Sequence, residues 1–429
     1  MTGTAHLVGG LAFETGEQAM RSVAANAAGV VDWVPDGETG VRRKWMSQHR
    51  TRFDAQEALE LKPVSSAAGL RPEIRGTRHG AGKVAYGLKA GRSVSDLNFA
   101  SFGYAEAALE SYRLFSQLKA QGIVHPTARF MVAMPTPFGT ATAFVHPDER
   151  GVLLPAIERG MFNDVRAIAD AVPHGELAIQ WDVAHEFGIL TGFHETNLAD
   201  PLGTVVQNVI RAVDSVPSDI PVGCHLCYGG AFGVHFVEPE DTAHMAQVIR
   251  GVLAGAKRRV DRFHLPVPMN REDAAYFAPL RGIDFGPTRL YLGLVHHEDG
   301  LDGARRRIAA AKQVVPEFGV GTECGTGRVL ADPDALLRLH AEIAQAAAAP
   351  ADRSIEVPAN PRPHPAPDPV EINNEFRRVA EQVKCEECGA QIGKPCGDDP
   401  SSRPHMDRYH EAMLGVLAGR LAPVSQLAQ

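Results

Sequence analysis

The stretch Pro221-Val222-Gly223-Cys224-His225-Leu226-Cys227-Tyr228 joins an apolar run to a tip rich in metal-binding side chains. Side chains two apart on a strand share a face, so His225 and Cys227 point together while Cys224 points the other way. A short apolar run ending in reactive residues is the form of a buried strand in a parallel sheet, whose chemistry sits at strand ends.

Seven further runs have the same shape: His6–Gly10, Val31–Pro35, Phe130–Pro135, Leu177–Ala184, Arg262–Val267, Arg289–His296 and Phe318–Cys324. Amphipathic segments such as Ala105–Gln121 and Gly303–Val315 lie between them. Eight strands alternating with helices predict parallel βα units, most simply closed into a (β/α)8 TIM barrel. A doubly wound open sheet is the alternative. The long gap from Pro35 to Phe130 holds the basic stretch Arg71–Lys89 and is expected to insert over the barrel mouth.

The last run ends in Gly321-Thr322-Glu323-Cys324-Gly325, which brings a third sulfur or nitrogen donor to the same end of the barrel. Two thiolates and an imidazole, from His225, Cys227 and Cys324, suit zinc with a position left for substrate. A thiol taken there is deprotonated near neutral pH and becomes a nucleophile. The opposing interpretation is that buried cysteines act as small hydrophobes. The meeting of two such tips in one sequence favours the metal.

The chain has 429 residues, 44% hydrophobic and 22% charged, enough for one large domain and a small one. Between Pro350 and Pro369 seven prolines follow an alanine-rich segment. Proline removes backbone donors and favours extended chain, so residues 347–370 read as a semi-rigid linker. It separates a catalytic barrel at 1–346 from a module at 371–429. A net charge of −8 argues against non-specific binding to nucleic acid. There is no apolar run of about 18 residues and no secretory pattern at the first residues, so a cytoplasmic protein without membrane contact is expected.

From about residue 5 to 345 the sequence resembles the C-terminal catalytic barrel of cobalamin-independent methionine synthase and its single-barrel relatives. Cys224–Tyr228 is similar to that family's H-x-C-Y zinc segment, and Glu323-Cys324-Gly325 to its D-C-G segment. The resemblance implies a catalytic zinc and transfer of an alkyl group, expected to be methyl, to a small-molecule thiol. It implies that Glu38, in Asp36-Gly37-Glu38, and Asp182, in Ile179-Gln180-Trp181-Asp182, are catalytic, substrate-binding carboxylates. His296 stands at the proton donor's place, with His297 as the alternative register. His264 falls where the family has a glutamate zinc ligand, and His235 or Glu238 is the other source of a fourth ligand. The donor is left open between a folate and a corrinoid. Val183 and Gly9-Gly10 depart from the pattern, which puts homocysteine recognition in question. A metal-free decarboxylase or lyase on the same fold has no use for these cysteines. A non-catalytic metal-binding barrel that recruits a partner is the remaining rival.

The tail carries Cys385-x2-Cys388, then Cys396 and His405, with His410 as an alternative last ligand. That spacing predicts a closed structural zinc site, which a segment too short to bury a core requires in order to fold. The tail resembles small zinc fingers of actinobacterial and phage proteins, some presumed to bind DNA. Its slight excess of acids points instead to a folding staple or a contact between subunits of a homo-oligomer. His185, His194, Glu195 and the arginines at 305–307 read as surface or loop residues, while Glu186 lies close enough to a strand tip to reach the site.

Overall fold

The computed structural model describes residues 3–64, 84–229, 235–361, 378–386, 389–394, 406–417 and 419–421. Most of the basic stretch at 71–89 therefore lies outside the described residues, as do Cys388, Cys396 and His405.

Nine strands are described: β1 (Trp33–Pro35), β2 (Leu59–Pro63), β3 (Val84–Leu88), β4 (Arg129–Pro135), β5 (Leu177–Val183), β6 (Val222–Leu226), β7 (Arg262–Pro266), β8 (Arg289–Gly293) and β9 (Gly319–Val320). Seven form one parallel sheet in the order β1-β4-β5-β6-β7-β8-β9. Every residue of β5, β6 and β7 is buried, as a parallel sheet covered on both faces requires. Helices including Tyr104–Ala120, Arg150–Ala171, Pro201–Asp214, Ala243–Gly255, Gly300–Lys312 and Pro333–Ala348 connect the strands.

Alternation along the strands sorts the chemistry. Ile179, Trp181 and Val183 of β5, Cys224 of β6 and Phe263 of β7 join the large apolar core. Their neighbours Gln180, Asp182, His225 and His264 occupy the other, concave face of the sheet. There Arg262 stacks 3.4 Å from the Trp33 ring and pairs with Asp32 at 3.1 Å.

The expected strand at His6–Gly10 is not a regular one. Ala5 makes isolated parallel bridges to Val31 on one side and Val320 on the other, and Gly10 bridges Gly37. His6 N donates to Val320 O at 2.8 Å and Ala5 N to Val30 O at 2.8 Å, so both ends of the curled sheet meet this one segment. The ladder stops because the chain bends at Gly9, whose φ is 148°. A Cβ there would lie 2.7 Å from Glu38 Oε1, so only glycine leaves room for the carboxylate.

The gap after β1 holds the 3-10 segment Gly40–His49 and the antiparallel pair β2–β3, which joins the rest through a bridge between Tyr86 and Val145. Among the described residues no helix is long and apolar enough to cross a membrane.

Candidate functional site

The end of β6 places the first donors. His225 faces the concave side, and Cys227 is fixed just beyond by its N–H donating to Val183 O at 2.9 Å. Cys324 comes from the turn after β9, where Thr322 Oγ1 donates to Cys324 O at 2.8 Å. The ligand atoms of His225, Cys227 and Cys324 all lie within 4.8 Å of one another, and the two sulfurs are 3.7 Å apart. A hydrogen bond from Cys227 and the nearness of the His225 imidazole hold the Cys324 thiol well below its ordinary range against the effect of burial. Cys227 is driven up by donating that bond and by burial.

The expected fourth ligand His264 stands differently. Its Nδ1 faces His225 Nδ1 at 2.8 Å, and it is not one of the three grouped residues. This leaves His225 Nε2 as the nitrogen free to face the sulfurs. That atom is buried and has no hydrogen-bond partner among the described residues. A buried, orphaned imidazole nitrogen beside two thiols fits a soft divalent metal. Burial, then the neighbouring His225 and His6, push His264 well below its usual pKa and keep it neutral.

Glu38 and Asp182 line the same cavity, which has a volume of about 150 Å³. Glu38 has φ 51°, and its N–H donates to Asp36 Oδ1 at 2.9 Å. Asp36 is in turn held by Arg42 at 2.5 Å. Asp182 accepts from Gln180 Nε2 at 2.8 Å and from Trp45 Nε1 at 3.2 Å. Burial, opposed by Arg42, lifts Glu38 to about 7, and burial together with Glu38 lifts Asp182 well above the carboxylate range. Arg43 and Arg328 complete the polar wall.

In the tail, Cys385 is buried. Its N–H donates to Ala390 O at 2.8 Å, and Gly389 N donates back to Cys385 O at 2.8 Å. Gly389 has φ 74°, the left-handed conformation that lets so tight a knuckle close. Residues 358–428 match the family described as putative DNA-binding phage zinc finger domain. Among solved structures the chain is similar to a B12-independent methionine synthase from Shewanella sp. W3-18-1 in complex with selenomethionine. The identity is 15%, over 81% of this chain and 97% of that one, with a TM-score of 0.47. No curated protein matches the chain.

His296 does not line the cavity. Its Nε2–H donates to Val267 O at 2.9 Å, and burial, helped by Arg307, lowers its pKa to about 3. The alternative, His297, pairs with Glu298 at 3.2 Å and is partly exposed. His235 lies 3.1 Å from Glu238 and 3.7 Å from Glu323, which raise it to about 9 in spite of burial. Neither His235 nor Glu238 is grouped with the three donors. Glu186 is buried outside the cavity wall, where it accepts from the Thr136 hydroxyl. His185 does line the cavity: it stacks on Trp45 with centroids 5.9 Å apart and has its Nδ1 2.8 Å from His194 Nε2.

Sequence reasoning missed Trp45, Arg43 and Arg328. The only signal for Trp45 was a lone tryptophan in the basic run Arg42-Arg43-Lys44, which has no periodicity to place it.

Proposed function

We propose that this chain is a zinc-dependent alkyltransferase, in the simplest case a methyltransferase, that acts on a small-molecule thiol. The observation that carries the reading is the grouping of His225, Cys227 and Cys324 within 4.8 Å at the wall of a cavity that also holds two carboxyls of raised proton affinity, Glu38 and Asp182. Zinc held by these three residues would supply the positive charge that lowers a thiol's pKa and a coordination position for it.

The other residues bind and orient. Glu38 and Asp182 accept hydrogen bonds from a polar group of the substrate, and a proton kept on this pair near neutral pH is available to a leaving group. This pair takes the proton-donor task that the sequence reading gave to His296. Trp45 fixes one Asp182 oxygen through its indole N–H. Val8, Ala184 and Phe236 supply apolar wall that excludes water. The alkyl donor is a folate or a corrinoid, and Arg43 and Arg328 offer positive charge to it at the cavity wall.

The fold that suits this reading is a closed (β/α)8 barrel in which the segment at Ala5 serves as the eighth staff, with the enzyme working in the cytoplasm. The tail holds its own structural zinc through Cys385, Cys388, Cys396 and His405.

Metal analysis of purified protein tests the proposal. About two zinc ions per wild-type chain are expected and about one in Cys385→Ser/Cys388→Ser, with thiol-dependent alkyl transfer lost in Cys227→Ser. If neither wild type nor the double variant retains zinc, the reading is wrong. Alkyl transfer that persists in Cys227→Ser removes this residue from the chemistry, and a different activity indifferent to chelators would favour the metal-free decarboxylase or lyase.

A further inference from the structure

Three separate chain segments contribute to the wall of the cavity: the loop at Gly10, the 3-10 segment with Arg43 and Trp45, and the turn from Gly325 to Arg328. Each is in contact with the tail. Val379, Ala380, Tyr409, Ala412, Met413 and Leu414 form one buried apolar cluster with Ala12, against which Leu330 packs. Ala12 lies two residues from Gly10, and Leu330 two residues from Arg328. Tyr409 Oη donates to the Arg328 carbonyl at 3.4 Å. Arg420 pairs with Glu14 at 2.6 Å. Arg43 then ties that loop to the cavity wall, because its Nη2 donates to Phe13 O at 2.6 Å and to Glu14 O at 2.9 Å. The helix Met406–Leu417 also packs on the Gly40–His49 segment.

We infer that the C-terminal module is a brace for the cavity wall: it docks on the barrel and holds the three wall segments in one arrangement. A segment with irregular backbone and few ladder bonds opens readily unless something packs on it. The 3-10 segment and the glycine-rich loops at 9–10 and 325–327 are of that kind, and the tail supplies the missing contacts. The family that the tail matches is described as putative DNA-binding, but here Tyr409, Ala412, Met413 and Leu414 belong to a buried cluster that takes in Ala12 of the barrel. The module thereby shapes what enters the cavity. The inference rests on packing alone and does not need zinc in the barrel, so either can fail without the other.

Hydrogen exchange by mass spectrometry on the full chain tests it. In Met413→Glu, peptides covering residues 8–14, 40–49 and 325–331 should all exchange about ten-fold faster or more, while the helix Arg150–Ala171 keeps its protection. Leu330→Ala trims the contact from the barrel side and leaves the tail's own side chains untouched. It should loosen the same three segments to a smaller extent, without faster exchange inside the tail. If neither variant changes exchange in the three segments, the brace is refuted, and the same holds if only the tail responds.

Discussion

The imidazoles of His225 and His264 meet Nδ1 to Nδ1 at 2.8 Å, so one hydrogen is shared on that edge and each ring's tautomer fixes the other's. With His225 Nε2 turned toward the thiols, its Nδ1 carries the hydrogen and donates to a neutral His264. Partners of this kind hold a ligating histidine in orientation, and their loss typically weakens metal binding by 10–100-fold. His264→Gln is therefore expected to weaken cobalt binding at the barrel site by roughly that factor. The visible bands of the cobalt-loaded Cys385→Ser/Cys388→Ser protein should keep their position and intensity. A band shift that reports a lost imidazole would make His264 a ligand after all.

Asp182 is held between Gln180 and Trp45, and burial, then the nearby Glu38 charge, raises its proton affinity. Asp182→Asn keeps the shape and removes the titration. Thiol-dependent turnover should fall on the order of 10²-fold, with far-UV circular dichroism unchanged. An unaltered rate would separate this residue from the chemistry.

Glu186 gives a pH signature away from the site. Burial lifts its pKa from 4.5 to about 7, even though the Thr136 hydroxyl donates to it. Below the unfolded value both states are protonated and nothing is lost. Between that value and about 7 the unfolded chain ionises while the folded one stays neutral, so stability falls as pH rises, by roughly 3 kcal/mol in all. Glu186→Gln should remove this slope. Urea unfolding at pH 5 and pH 8 measures most of it: the variant's stability relative to wild type should improve by about 2.5 kcal/mol at the higher pH. A parallel pair of curves would contradict the assignment.

Arg262 lies flat on Trp33 with Asp32 closing its outer edge. Lysine keeps the charge but cannot stack a plane, so Arg262→Lys should cost about 2 kcal/mol in urea unfolding. Stability equal to wild type would mean that charge alone matters at this position.

Much of this was legible in the sequence because it follows from period-two alternation. That rule put His225 and Cys227 on one side and Cys224 on the other, while the apolar runs located β4 to β8 with ends that overshoot by up to three residues. Glycine and irregular backbone obscured the rest. His6–Gly10 reads as a strand by composition, yet Gly9 bends away to admit Glu38, and bridges replace the ladder. Histidines are the hardest to place, since a ring at or near a strand tip can face another ring, as His264 does, or a backbone carbonyl, as His296 does. Trp45 and the two wall arginines sit where neither helical nor strand periodicity applies. The contact of the tail with the rim joins residues some 400 apart by roughly one apolar face, and no local pattern announces it.

Trp45 has φ 50°, an uncommon backbone state for a bulky side chain, and its indole is pinned between an acid oxygen and the His185 ring. The other two tryptophans are fully enclosed, one under a guanidinium and one in the apolar core. The chain thus carries an intrinsic optical reporter at its cavity wall. A molecule that enters the cavity changes the surroundings of this indole while the two enclosed rings keep theirs, so a change in emission that disappears in Trp45→Phe can rank candidate thiols and donors before a product has been identified.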